Sequence, residues 1–158
     1  MPQITPGAPE PLVLASEQRV ILSYWVERPT DAEISVASSH ASGVNGPDVY
    51  SVFRFSPVCS HMFGYPNEEA FHGHPLACRG YRAFAVWEVQ KSSWIAQMEQ
   101  MNRVHPAHTR ESFDIWRHFI FGFHDSTFEI VARPFEFELM YDHWNRTHVI
   151  PRMRELLK

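Results

Sequence analysis

Two pairs of metal-binding side chains stand close together in this chain, His72-Gly-His74 and Cys59-Ser-His61. On an extended backbone, residues two apart project to the same face, roughly 6.6 Å apart along the strand. Both imidazoles of the first pair can then reach one ion, and the second pair can complete a tetrahedral set. His72, His74, His61 and Cys59 are therefore the candidate metal ligands, and a divalent transition metal, Zn or Fe, is the cofactor that they would take. The pattern is not a zinc signature, since no cysteine pair has the C-x-x-C spacing. The structural alternative is that the imidazoles bond loop carbonyls while the cysteines pack as small apolar groups.

His118 and His124 bracket a phenylalanine-rich run. On a strand, positions 118, 120, 122 and 124 share one face, while Phe119, Phe121 and Phe123 share the other and belong to the core. Gly122 leaves a gap on the histidine face where a ligand or another backbone can approach closely. Asp125 and Ser126 read as turn residues. Asp125 is not expected to pair with His124, because neighbouring strand residues point apart. His105 and His108 read as groups favoured at a helix C-terminus. Glu88 sits in an aromatic strand, where a carboxylate is costly unless it is paired or lies at a wet strand end. In a pocket it would be a general-base candidate, with Arg54 as its expected partner.

These groups define an expected site. His72, His74, His124 and Glu88 form its catalytic set, and Arg54, Tyr65, Trp87 and His118 bind the ligand. A nucleophile elbow, a phosphate-binding glycine loop, an H-E-x-x-H helix and a dinucleotide fingerprint are all missing. The motifs identify no family with an assigned activity.

A framework of ordinary size must hold these residues. With 158 residues, 44% of them apolar, the chain can bury one core without disulfide staples. Residues 1–17 are proline-rich and read as a disordered tail before a single α+β domain over 18–158. Strands are expected at Arg19–Glu27, Glu33–Ala37, Asp48–Phe55 and Tyr81–Val89, the last lying centrally because it is apolar on both faces. Ser38–Pro47 has loop chemistry. Pro57–Gly80 reads as an unusually long connection, ordered and packed on the sheet, and long loops on a rigid sheet are where function concentrates.

Trp94, Ile95, Met98 and Met101 repeat at helical spacing behind a Ser92 or Ser93 cap, and Pro106 ends that helix. A short helix follows at Arg110–Trp116, capped by Thr109. A hairpin spans His118–Phe123 and Phe128–Arg133, a last strand is Phe135–Leu139, and a terminal helix opens at Pro151. The expected fold is one antiparallel sheet of six to seven strands with one long and two short helices packed on one face.

The net charge of −4 comes without a basic stripe, which argues against nucleic acid. No apolar run approaches membrane-spanning length, so a cytoplasmic location is expected. Seven of the ten histidines fall between His61 and His124. That clustering favours a small enzyme acting on a small molecule through a histidine-rich pocket, metal-assisted if the ligand set holds. The pocket is expected between the 57–80 loop and the 118–124 strand. The alternative is a non-catalytic module that binds a small ligand or a protein, and a homodimer is compatible with either.

Overall fold

The computed structural model describes residues 1–6, 8–27, 48–142 and 146–158. The expected strand Glu33–Ala37 and loop Ser38–Pro47 lie outside the described residues. Eight strands are described: β1 (Leu12–Ala15), β2 (Val20–Trp25), β3 (Asp48–Phe55), β4 (Val58–Gly64), β5 (Val86–Glu88), β6 (Arg117–Gly122), β7 (Thr127–Ala132) and β8 (Glu136–Asp142). They form two four-stranded antiparallel sheets, ordered β1-β2-β3-β8 and β4-β7-β6-β5. The expected single sheet is therefore wrong.

The reason lies in the alternation of apolar residues. Val20, Leu22, Tyr24, Phe53 and Phe55 line one face of the first sheet. Phe119, Phe121, Phe128, Ile130 and Ala132 line one face of the second. A single sheet would leave most of this aromatic surface against thin cover, whereas two sheets bury it face to face. The rings interlock, with Phe53 stacked on Tyr24 at 5.4 Å and edge-on to Phe121 at 5.3 Å. The chain passes between sheets at Ser56-Pro57, where proline has no N–H to continue the ladder of β3.

The helices do not share a face. Helix α1 (Ser93–Asn102) packs beside β6 of the second sheet. Helix α2 (Arg146–Leu157) covers the outer face of the first, where Val149 and Met153 meet Ile21, Tyr50 and Val52. Pro151 lies inside α2 instead of opening it. The second short helix is only a 3-10 turn, Arg110–Phe113, and the Thr109 side chain does not cap it.

Three further expectations fail. Within residues 1–17, Leu12–Ala15 pairs with Val20–Ser23, and Ile4 bridges to Val26 and is buried in the core. The apolar run Leu12-Val-Leu there outweighs its proline-rich surroundings. The segment Tyr81–Val89 contributes only Val86–Glu88, and as an edge strand, because the chain turns at Phe84, whose φ is +55°. The 57–80 connection contains a whole edge strand, β4, paired with β7. Among the described residues no helix is long and apolar enough to cross a membrane.

Candidate functional site

The outer face of the second sheet carries the side chains that alternate with the core. On β6 these are His118, Ile120 and Gly122, and on β7 they are Thr127, Glu129 and Val131. The segments 65–81 and 87–94 rise over this face and enclose a cavity of about 1010 Å³. Its walls are mainly apolar, with Met62, Leu76, Tyr81, Trp87 and Trp94 among them. Its polar lining includes Arg79, Glu88, Gln90, Lys91 and Ser93, and four further side chains, His74, His118, Glu129 and Ser92.

Those four side chains form one hydrogen-bonded chain whose proton positions can be deduced. The Leu76 N–H donates to His74 Nδ1 at 3.1 Å, so that nitrogen carries no proton. His74 is therefore neutral, and its Nε2–H donates to Glu129 Oε1 at 3.1 Å. The other carboxylate oxygen, Oε2, accepts from His118 Nε2–H at 2.9 Å. The remaining ring nitrogen, Nδ1, lies 2.9 Å from Ser92 Oγ. Ser92 Oγ already accepts the Ile95 N–H at 3.2 Å as the N-cap of α1, so its own proton is free to point at His118. Burial works against ionisation of Glu129, but the bonds from His118 and His74 outweigh it. Together they hold the carboxyl below its usual range. The side chains of His74, His118 and Glu129 are only 7%, 5% and 13% exposed, so the network is nearly dry.

Tyr81 closes one side. Thr127 Oγ1 donates to the Pro66 carbonyl at 2.8 Å, which leaves it to accept the Tyr81 hydroxyl at 3.3 Å. Burial pushes the Tyr81 phenol up, so it remains protonated. The Tyr81 ring lies 4.8 Å from that of His74. The gap at Gly122 is filled by this tyrosine: a Cβ there would sit 2.8 Å from Tyr81 Oη and 3.1 Å from Ala83 Cα.

The expected site residues divide into two groups. His74, His118, Tyr65, Trp87 and Glu88 line the cavity. Tyr65 stands at its rim, 89% exposed, and the Trp87 indole N–H donates to the Arg82 carbonyl at 3.1 Å. Glu88 is half-exposed at the strand edge, 3.6 Å from Arg117. Arg54 is not its partner; it lies on the first sheet and pairs with Glu136 at 3.3 Å.

The proposed metal ligands do not come together. His72 lies in a 3-10 turn (Phe71–Gly73), exposed and packed on Phe71 at 4.2 Å, while His74 turns inward. His61 lies 6.3 Å from the Phe128 ring, and Cys59 Sγ bonds Met98 Sδ at 3.5 Å. Among the described residues no three His, Cys, Asp or Glu side chains converge as a metal site.

His124 also lies outside the cavity lining. It bonds Asp125 at 2.8 Å and Glu68 at 3.0 Å. Position 124 is past the end of β6, in the turn, so strand alternation no longer separates neighbouring side chains. The Asp125 bond, with the charges of Glu68 and Glu69, raises the His124 pKa against a smaller opposing effect of burial. His108 is bound to Glu99 at 3.0 Å and Asn102 at 3.1 Å, at the end of α1.

Glu129 and Ser92 were not singled out by sequence as site residues. The signal for Glu129 is present: a carboxylate in Phe128-Glu-Ile-Val-Ala is costly on the same argument that marks Glu88. Ser92 is legible only as a cap, because its histidine partner is 26 positions away. Comparison with protein-family models, curated proteins and solved structures finds no match for this chain.

Proposed function

We propose that the protein is an enzyme for a small, largely apolar molecule, bound on the outer face of the second sheet. The His74–Glu129–His118–Ser92 chain moves a proton on the bound substrate. One observation carries this reading: a buried carboxylate holds two imidazoles at a cavity whose walls are mainly apolar. A dry ionised carboxylate is costly to maintain, and a fold needing only stability does as well with apolar side chains there. Glu129 fixes the tautomer of His118, so that the Nδ1 lone pair faces Ser92 and the cavity. Such a pairing of base and orienting carboxylate is what general-base chemistry needs.

A second reading, a non-catalytic binding module, draws support from the completeness of the network, since a fully bonded cluster also serves to rigidify a pocket. Both readings meet one experiment. A library of small apolar esters, amides and carbonyl compounds is screened by quenching of Trp87 and Trp94, and each compound that binds is followed by NMR for conversion. The expected result is binding to wild type and to Glu129→Gln, with conversion by wild type only. Binding without conversion by either protein would favour the module. Compounds that bind equally well to wild type and to a Trp87→Ala, Leu76→Ala double variant would place binding elsewhere and overturn the pocket assignment.

A further inference from the structure

We infer that Ser92 is an acyl-accepting nucleophile, and that the substrates of the outer-face pocket are carboxylic esters with an apolar acyl group. This inference rests on the pocket reading above and makes it more specific. A serine hydroxyl bonded to an imidazole, itself bonded to a carboxylate, is the arrangement that activates serine in hydrolases. Here the links are Ser92 Oγ to His118 Nδ1 at 2.9 Å and His118 Nε2 to Glu129 Oε2 at 2.9 Å. The two ring nitrogens exchange their usual roles, which the chemistry tolerates. In neutral imidazole one nitrogen holds the proton and the other the lone pair, and Glu129 decides which. His74 adds a second fixed N–H to the same carboxylate and keeps it aligned.

Position matters as much as connectivity. Ser92 is 7% exposed and lines the cavity beside Ser93 and Trp94. It caps α1, so the first-turn N–H groups of Ser93 and Trp94 have no acceptor within the helix. As the backbone donors that directly follow Ser92, they are assigned to receive the oxyanion. The Trp94 ring packs edge-on to His118 at 5.2 Å and keeps water from that side of the imidazole.

The reaction balances with water as the only co-reactant. Ser92 Oγ bonds to the ester carbonyl carbon as its proton passes to His118 Nδ1, and negative charge collects on the carbonyl oxygen. The C–O bond to the alcohol then breaks, and His118 returns the proton to the departing alkoxide. Water attacks the acyl-serine, gives its proton to His118 and releases the carboxylic acid. The proton goes back to Ser92 Oγ.

The experiment uses an alkyl fluorophosphonate, which phosphonylates activated serines with loss of HF, read by intact mass and peptide mapping. In parallel, p-nitrophenyl esters with acyl chains of increasing length are assayed for release of nitrophenol. The expected result is a single adduct on Ser92 and ester turnover that improves with chain length. Ser92→Ala should abolish the adduct and lower ester turnover by roughly 10³-fold or more. Ser92→Cys keeps the size of the side chain and should be alkylated by iodoacetamide faster than Cys59 or Cys78. Ser112→Ala, on an exposed turn, should label as wild type does. Absence of an adduct on wild type that still binds compounds in the tryptophan assay would overturn the nucleophile and leave the pocket standing. An adduct at any other serine would overturn it equally, and loss of both binding and labelling would overturn the two readings together.

Discussion

Replacing Glu129 by glutamine removes a charge while keeping the shape of the side chain that joins His74 to His118. In wild type, two imidazole N–H groups donate to an ionised carboxylate. Each such bond contributes about 1.5–3 kcal/mol, against about 0.5–1.5 for a neutral one. The loss for Glu129→Gln is then about 2–3 kcal/mol over the two bonds. Glu129→Leu leaves two buried donors without an acceptor, at about 1–3 kcal/mol each. The order of stability should be wild type, then Gln, then Leu, measured as urea midpoints at neutral pH.

The glutamine variant has a further signature. His74 cannot change tautomer, because Leu76 N–H occupies Nδ1. The glutamine oxygen must therefore accept from His74, and its NH₂ must face His118. His118 then moves its proton to Nδ1, which ¹⁵N NMR of the imidazoles reads directly.

The Glu129 carboxyl is held below its usual range, so its contribution is fully present above the unfolded-state value of about 4.3 and is lost as pH falls through the folded one. The gap between wild type and Gln should be constant above about pH 5 and should close in stronger acid. Equal midpoints for wild type and Gln, or a Gln variant whose His118 keeps its proton on Nε2, would refute the assigned network.

The remaining predictions test its surroundings. His124, bonded to Asp125 and Glu68, should titrate above the ordinary histidine value of about 6.5 in an NMR titration. Its contribution to stability is complete below that value and is lost as pH rises through the folded one, and Asp125→Asn should move the titration back down. Gly122→Ala drives a Cβ into Tyr81 Oη and Ala83 Cα, and should cost about 1–3 kcal/mol in urea denaturation, with the Tyr81–Thr127 bond broken. Met153→Ala opens a void between α2 and the first sheet, costing about 2–5 kcal/mol while leaving pocket binding unchanged.

Elements whose pattern is local were legible in the sequence. The alternation in Phe119–Phe123 and the polar turn after it mark the β6–β7 hairpin, because side chains two apart must share a face. Trp94, Ile95 and Met98 mark α1, and Ser92 as its cap needs only the N–H of Ile95 three residues on. His74 was singled out by its spacing from His72, and His118 by the strand face it shares with Ile120 and Gly122; both line the cavity, though His74 does so without the partner that the spacing suggested.

Tertiary structure alone decided what those partners are. Whether eight strands form one sheet or two depends on which apolar faces find each other, and Phe53 meeting Phe121 is invisible to any local pattern. His72 and His74 suggested a shared ligand only on an extended chain; the turn at Phe71–Gly73 sends them apart. Ser92, His118 and Glu129 come together because α1 begins beside β6 and β6 pairs with β7. Hydrogen bonds act over about 3 Å, whereas their partners here stand 11, 26 and 55 positions apart in the chain, so only the folded sheet selects them.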